Sequence, residues 1–408
     1  MRDRTSSPGP QAPENVTENA TDTAPTTSGR RRSVRRSGLA AGAGAALTLA
    51  LAATLAPALN PALDPGAATA SSLPDAASAT AARGTSTGNP LAGRRWGVYK
   101  GNADQSWAPY AASKGAERQL LAKISERPKA KWFGDWISNA AIGKKVDEYI
   151  ANSTGGDPNV LVQMTMFRMQ PWEHDACKRL PTRAEQASYK QWTDRAAAAI
   201  GSAHVAMVLQ PDGPFALCAP GHSPLPSQLI AYSARKYAAL PNTHVYIDAG
   251  ASDWPINDPK KAANILVPAG IKYARGFAFN STHYATTARE IQAGTAVVAE
   301  LNRRGLRGKH FVINTSSNGR GFVFGTARGS HPDHANVCRT RSEQHCVTLG
   351  IPPTTNVAST RWGLSKLNRA KAAKYVDAYL WFGRPWLYMQ ADPFDKPRAL
   401  QLARTTPY

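Results

Sequence analysis

Acidic side chains are scarce in this chain: Asp and Glu together number 28 against 49 Lys and Arg, leaving a formal net charge of +21 across 408 residues. In a cytosolic protein that imbalance would point to nucleic acid. The charges are scattered, however, over positions such as Lys260, Lys261, Arg303, Arg304, Arg307, Arg339 and Arg341. No stacking motif runs among them, so they read as a solvated basic surface attracted to an acidic cell wall, and a nucleic-acid partner is not expected. Cysteine is also sparse, with four residues. His331, His334 and His345 lie near Cys338 and Cys346, but the order matches no zinc motif, and no metal or cofactor is expected. In an oxidising compartment an even number of cysteines suggests disulfides, with three pairings open. A short polar segment containing Arg339, Arg341 and Glu343 separates Cys338 from Cys346. A local staple fits there, in which case Cys177 pairs with Cys218.

The first part of the chain has almost nothing large and apolar to bury. Residues 1–38 are rich in Pro, Thr, Ser, Glu and Asn and end in the basic run Arg30-Arg31-Arg32-Ser33-Val34-Arg35-Arg36. Residues 39–70 carry an Ala/Leu/Gly stretch followed by Ala68-Thr69-Ala70, the order of a signal peptide. The apolar stretch approaches membrane-spanning length. Its Gly and Ala content and the small-residue site favour cleavage over a lasting anchor, and the twin arginines point to the twin-arginine export route. Residues 71–88 read as a flexible Ala/Ser/Thr/Gly linker, and residues 89–408 as one domain without a composition break. The 42% hydrophobic content is enough to give that domain a core.

Within it, short runs rich in Val, Ile, Phe and Tyr alternate with longer segments of helical period, the pattern of parallel strands joined by crossover helices. Strands are expected at Val160–Phe167, Val205–Leu209, Thr243–Ile247, Tyr273–Phe279, His310–Ile313 and Pro385–Met389, and helices at Arg183–Ile200, Pro226–Leu240, Thr286–Arg304 and Lys366–Tyr379. No internal repeat is present. Parallel α/β folds place their working residues at the carboxyl ends of strands. Here those positions are polar: Asp212, Asp248, Asn280, Asn314 and Asp392. Any one of them alone would read as a helix cap or turn former. Together they suggest an acidic, amide-lined cleft. Two carboxyl groups are what glycosidic cleavage requires, one to protonate the leaving oxygen and one to serve a water or act as nucleophile. Sugar rings also stack on aromatic faces, for which Trp96, Trp132, Trp136, Trp254, Trp362 and Trp386 are candidates.

Four segments carry a more specific signal: Val208-Leu209-Gln210-Pro211-Asp212, Tyr246-Ile247-Asp248-Ala249-Gly250, Arg275-Gly276-Phe277-Ala278-Phe279-Asn280 and Phe311-Val312-Ile313-Asn314-Thr315-Ser316-Ser317-Asn318-Gly319. Together they resemble glycoside hydrolase family 6, the inverting cellobiohydrolases and endoglucanases. The resemblance extends in order from Asn89-Pro90-Leu91-Ala92-Gly93 to Tyr379-Leu380-Trp381. It implies a distorted parallel α/β barrel with fewer than eight strands, a single catalytic domain, and Asp212 as the general acid, where Gln210 replaces the family's Glu. Asp175, in Pro171-Trp172-Glu173-His174-Asp175-Ala176-Cys177, is the nearest match to a second family Asp that supports the acid. His174 reads as an exposed loop residue.

The same resemblance makes Trp254 and Asn280 sugar-contacting residues and Asp248 a buried supporting carboxylate of the substrate site, which Trp96 joins as a stacking candidate on its aromatic chemistry alone. It also exposes departures: Ala251 stands where the family has His, Val337 where a stacking Trp precedes the cysteine, and the family's Lys and Glu loop after Trp381 has no clear counterpart. Asp392 stands for the proposed base with a register shift. With no cysteine in that loop, Cys338 pairing with Cys346 becomes the natural alternative. The expected activity is inverting hydrolysis of a β-1,4-glucan by a secreted monomer whose partner is a polysaccharide. The alternatives are a hydrolase of another polysaccharide and a glycan-binding protein that no longer cuts.

Overall fold

The computed structural model describes residues 88–172, 175–255, 258–327 and 329–408. The leader and linker segments up to residue 87, and the loop residue His174, lie outside the described residues. One seven-stranded sheet organises the domain, its strands all parallel and paired in chain order. The strands are β1 (Lys131–Gly134), β2 (Leu161–Phe167), β3 (His204–Leu209), β4 (Thr243–Asp248), β5 (Gly276–Phe279), β6 (His310–Asn314) and β7 (Val376–Leu380). Helices α1 (Trp107–Ala112), α2 (Gly115–Ser125), α3 (Ile142–Thr154), α4 (Arg183–Ile200), α5 (Leu225–Ala238), α6 (Pro259–Leu266), α7 (Thr287–Arg303), α8 (Lys366–Tyr375) and α9 (Lys396–Thr405) precede, connect or follow them. This is the distorted parallel barrel with fewer than eight strands.

The two-residue period of each strand splits the core in two. Met164, Met207, Ile247, Phe277 and Phe311 point outward under the helices, while Leu161, Val208, Tyr246, Ala278, Val312 and Leu380 meet inside the barrel. The helices are locally well specified: α4 opens with a Thr182/Glu185 capping box, and the Thr286 side chain accepts from Arg289 N to start α7. The sheet does not close by a ladder, because β1 and β7 are unpaired edges. Two isolated bonds cross the seam between them, Ala130 N to Trp381 O at 2.8 Å and the Trp132 indole to Phe382 O at 2.6 Å.

The amino end of the barrel is plugged by Asp377, which accepts from the Tyr246 hydroxyl (2.7 Å) and from Arg275 (2.8 and 3.0 Å), with His310 Nδ1 at 3.2 Å. Burial pushes this carboxyl up, yet the bonds from Arg275 and His310 outweigh burial and hold it below the usual range.

Two expectations at the ends of the sheet are corrected. Lys131–Gly134 forms a strand that four residues are too few to announce. The last strand is Val376–Leu380, not Pro385–Met389: Met389 and Gln390 have φ of 50° and 58°, in the left-handed region that an extended strand cannot use. The Lys- and Ala-rich helix α8 passes into β7 without a break, which is why its pattern reads as helix up to Tyr379. Asp392 therefore does not follow a strand, and the chain leaving β7 is Trp381-Phe382-Gly383-Arg384.

Helix α7 sits close on β6 at Gly294, where an added Cβ would lie 2.4 Å from the Phe311 ring. Gly294→Ala is expected to lose ~1–3 kcal/mol by overpacking. In a Phe311→Leu background the same change should cost much less. Urea unfolding of the four proteins measures this, and additive losses would contradict the contact.

Candidate functional site

The carboxyl ends of the strands are fastened by buried polar groups. Asp248, at the end of β4, accepts from Gly213 N (3.2 Å), from Gly250 N (2.9 Å) and from the Ser281 hydroxyl, so one carboxyl joins the turns after β3, β4 and β5. Gly213 is required there, since a Cβ would come within 2.2 Å of Asp248 O. Asn314 does the same for β5, β6 and β7: its amide donates to Asn280 O (2.9 Å), and its Oδ1 accepts from Phe382 N (3.1 Å) and Gly383 N (3.0 Å). Asn280, fully buried, spends its side chain on Ala285 and on Asn314 O. It supports the site from below.

Asp212 sits above this layer in a left-handed turn (φ 61°), with its Oδ1 accepting from the Thr282 hydroxyl at 3.2 Å. It lines a cavity of about 560 Å³ together with Trp132, Phe215, Trp254, His283, Phe324 and Asp333. Trp254 is held flat: its ring stacks on His283 with centroids 5.3 Å apart, and His283 stacks on Phe324 at 4.2 Å. Asp253 locks the pile by bonding His283 Nδ1 (2.9 Å) and Phe324 N (2.8 Å). Burial raises the Asp253 carboxyl, but the bond and charge of His283 together with Phe324 N prevail and hold it low.

Asp175 lines an adjoining cavity of about 470 Å³ with Trp136, Trp172 and Arg179, its half-exposed carboxyl 3.6 Å from Lys178. Asp392 is exposed and lines a third cavity of about 300 Å³. All three cavities share Trp132, Arg384 and Ala391. The structure thus brings Asp212 and Trp254 into one cavity and places Asp175 and Asp392 in its neighbours. Trp96 lies at the other end of the barrel, bridged to Leu161 at the start of β2, with its indole bonded to Leu91 O at 3.1 Å. Both expected disulfides are formed, Cys177–Cys218 and Cys338–Cys346. The first ties the Asp175 loop to the turn that follows Asp212.

Sequence reasoning passed over Thr282, His283, Asp253 and Asp333. Thr282 and His283 follow β5 directly, so the strand-end rule could have found them. Asp253 is 30 positions from His283 along the chain, and nothing local announces that pairing. Gln390 was missed as well: its amide donates to Thr282 O (3.0 Å), and Met389 N donates to His334 Nδ1 (3.1 Å), so the segment after Arg384 is tied across the cleft.

An incompletely closed parallel barrel whose strand ends carry a carboxylate beside two indole faces defines the class: an α/β-barrel protein with a carbohydrate-type cleft. The family model described as "Glycosyl hydrolases family 6" matches residues 96–385, and the chain belongs to that family. It is 31% identical over 225 residues to Endoglucanase 1 of Streptomyces halstedii, covering 53% of this chain and 66% of that protein. It is 31% identical over 231 residues to Endoglucanase A of Cellulomonas fimi, covering 55% of this chain and 47% of that one. The chain thus spans about half to two thirds of the length of these relatives. Among solved structures, an endoglucanase of Mycobacterium tuberculosis in complex with methyl-cellobiosyl-4-deoxy-4-thio-β-D-cellobioside matches with a TM-score of 0.61 at 25% identity, covering 78% of this chain and 99% of that one.

Two fully buried carboxyls under the cleft set a pH dependence. Burial, opposed by bonds from Ser281, Gly250 and Gly213, pushes Asp248 up to about 7. Burial, opposed by bonds from Ser252, pushes Glu290 up to about 8. The folded state keeps these protons through a pH range in which the unfolded chain has lost them, so their contribution is complete below about pH 4 and is lost as pH rises toward 8. At roughly 1.4 kcal/mol per unit, the loss is on the order of a few kcal/mol. Asp377 and Asp253, held low, act oppositely: their contribution is present above about pH 4 and is lost as pH falls through their folded values. The melting temperature should therefore drop between about pH 5 and pH 8.5, and Glu290→Gln should flatten that drop. A wild-type Tm that is level or rising over this interval would overturn the assignment.

Proposed function

We propose that this chain is an exported glycosidase that cuts β-1,4-linked glucan with inversion, Asp212 donating the proton to the leaving oxygen. The observation that carries this reading is the Asp212 carboxyl at the end of β3, facing a cavity that also holds the Trp132 and Trp254 rings. The cello-oligosaccharide in the M. tuberculosis structure and the endoglucanase names of the relatives support the substrate class. The two disulfides support an oxidising compartment, reached by the twin-arginine route that Arg30–Arg36 suggests. Among the described residues no helix is long and apolar enough to cross a membrane.

Inversion needs a second carboxylate to take a proton from the attacking water. Three candidates surround the junction at Trp132 and Arg384. Asp333 shares the Asp212 cavity, while Asp175 and Asp392 line the adjoining ones. We assign the water to Asp333. Asp175 then steers charge near the sugar bound beside Trp136, and Asp392 acts from the rim. Asn280 and Asp248 keep the strand ends in register beneath them.

Reducing-end release from a panel of glucans and other polysaccharides tests the reading. Asp212→Asn should lower turnover at least ~100-fold on natural polymer. Asp333→Asn should lose more than Asp175→Asn or Asp392→Asn. Unchanged turnover in Asp212→Asn would remove its role, and binding of insoluble glucan by the wild type without any release would favour a glycan-binding protein instead.

A further inference from the structure

The seam between β1 and β7 opens into a cavity of about 300 Å³, at the small end of the range for ligand pockets. Its walls are unusual for a neutral-sugar site. Tyr99, Trp132, Trp136, Tyr149 and Trp386 supply aromatic surface, and Arg127, Lys129, Lys131 and Arg384 supply positive charge against Asp104 and Asp392. One pair is already spent: Lys129 Nζ lies 2.8 Å from Asp104 and donates to the carbonyls of Ile124 and Ser125 as well. Asp392 is exposed, where water weakens its field.

Lys131 is different. It is partly buried, its ammonium donates to Ala103 O, and no carboxylate among the described residues forms an ion pair with it. Burial, then the nearby Arg384 charge, holds its pKa below the usual lysine value, and the more distant charges of Asp104 and Asp392 offset this only in part. A desolvated charge with no close ion pair is costly, and a bound anion would offset that cost. Arg384 lies alongside, its guanidinium carbon 4.3 Å from the centroid of the Trp132 ring. That indole also lines the Asp212 cavity, so a glycan lying along the cleft would pass from the acid to the seam. At the rim, Trp136 is 57% exposed yet fixed in place, because its ring packs on Gly134 so closely that a Cβ there would meet it at 2.2 Å. A solvent-facing indole held in this way suits stacking against a sugar face.

We propose that the seam cavity binds an anionic sugar unit of the glycan, its carboxylate or phosphate held by Lys131 and its ring resting against the tryptophans. The inference rests on the glycan-cleaving reading of the neighbouring cavity and narrows it to chains that carry acidic units. An uncharged glucan leaves Lys131 without a close counter-charge, whereas a uronate or a phosphorylated sugar supplies one.

Binding to the full chain carrying Asp212→Asn, followed by tryptophan fluorescence, separates the possibilities without turnover. The probes are glucuronate, its neutral analogue glucuronamide, glucose 6-phosphate and glucose. At low ionic strength glucuronate or glucose 6-phosphate should bind about tenfold tighter than its neutral counterpart. The tighter of the two tells whether the source is a uronate or a phosphate. Lys131→Gln, which can still donate to Ala103 O, should erase that preference while leaving the neutral sugars unchanged, and Lys131→Arg should restore it. A purely structural Lys131 would instead weaken all four probes together. Equal affinity for charged and neutral probes in the parent protein overturns the proposal, even if β-glucan is cut. Charge preference in a protein that releases no reducing sugar from any polymer upholds the seam site and removes the glycosidase reading alone.

Discussion

The rest of the cleft depends on one buried carboxyl group. Asp248 joins the turns after β3, β4 and β5, and it does so from inside the barrel, where no water can substitute for it. The turn it holds at Gly213 fixes the backbone of Asp212, and the one at Ser281 fixes Thr282, the hydroxyl that donates to Asp212. Keeping such a group in an apolar interior is costly, which is why its carboxyl titrates far above the ordinary aspartate range. Stability is thus given up near neutral pH in return for the alignment of three strand ends.

The open seam is the second constraint. A barrel closed by a ladder between β1 and β7 would have no room beside Trp132 and no reason to bring Arg384 over its ring. With two hydrogen bonds across the gap among the described residues, the chain after β7 folds back as a strap, Tyr388–Gln390, tied to Thr282 and His334. That strap and Arg384 divide what would be a continuous groove into three cavities. The charge in this region is mainly positive, whereas the Asp212 cavity adds Asp333. On the proposed reading, one end of the cleft serves proton transfer and the other holds an anion.

Much of the barrel was legible in the residues because its strands are continuous apolar runs buried on both faces, as in β3 and β6, and because helices such as α4 begin at strong caps. The family motifs pointed to Asp212 and Asp248, and the disulfide pairs followed from the even cysteine count and the short segment between Cys338 and Cys346. At the ends of the sheet the pattern misled for local reasons. β1 is too short to be seen, and β7 is continuous with a helix. The segment Pro385–Met389 has strand-like side chains on a backbone that turns left-handed. Trp96 looked like a sugar contact because tryptophan chemistry says nothing about which end of a barrel a residue occupies. Asn280 occupies a strand end as expected, but its amide is consumed by Ala285 and Asn314 O. The Asp253–His283 pair, Asp333 and the seam cavity arise from contacts between distant loops, and no spacing in the chain encodes them.

The central claim is that Asp212 protonates the leaving oxygen while a water, served by a carboxylate across the cavity, attacks the opposite face of the sugar. Proton NMR of a β-linked cello-oligosaccharide during the first minutes of hydrolysis tests it most directly. The account predicts that the α-anomer is the first product to accumulate, with the β-anomer growing in later by mutarotation. A β-anomer that appears first would contradict it.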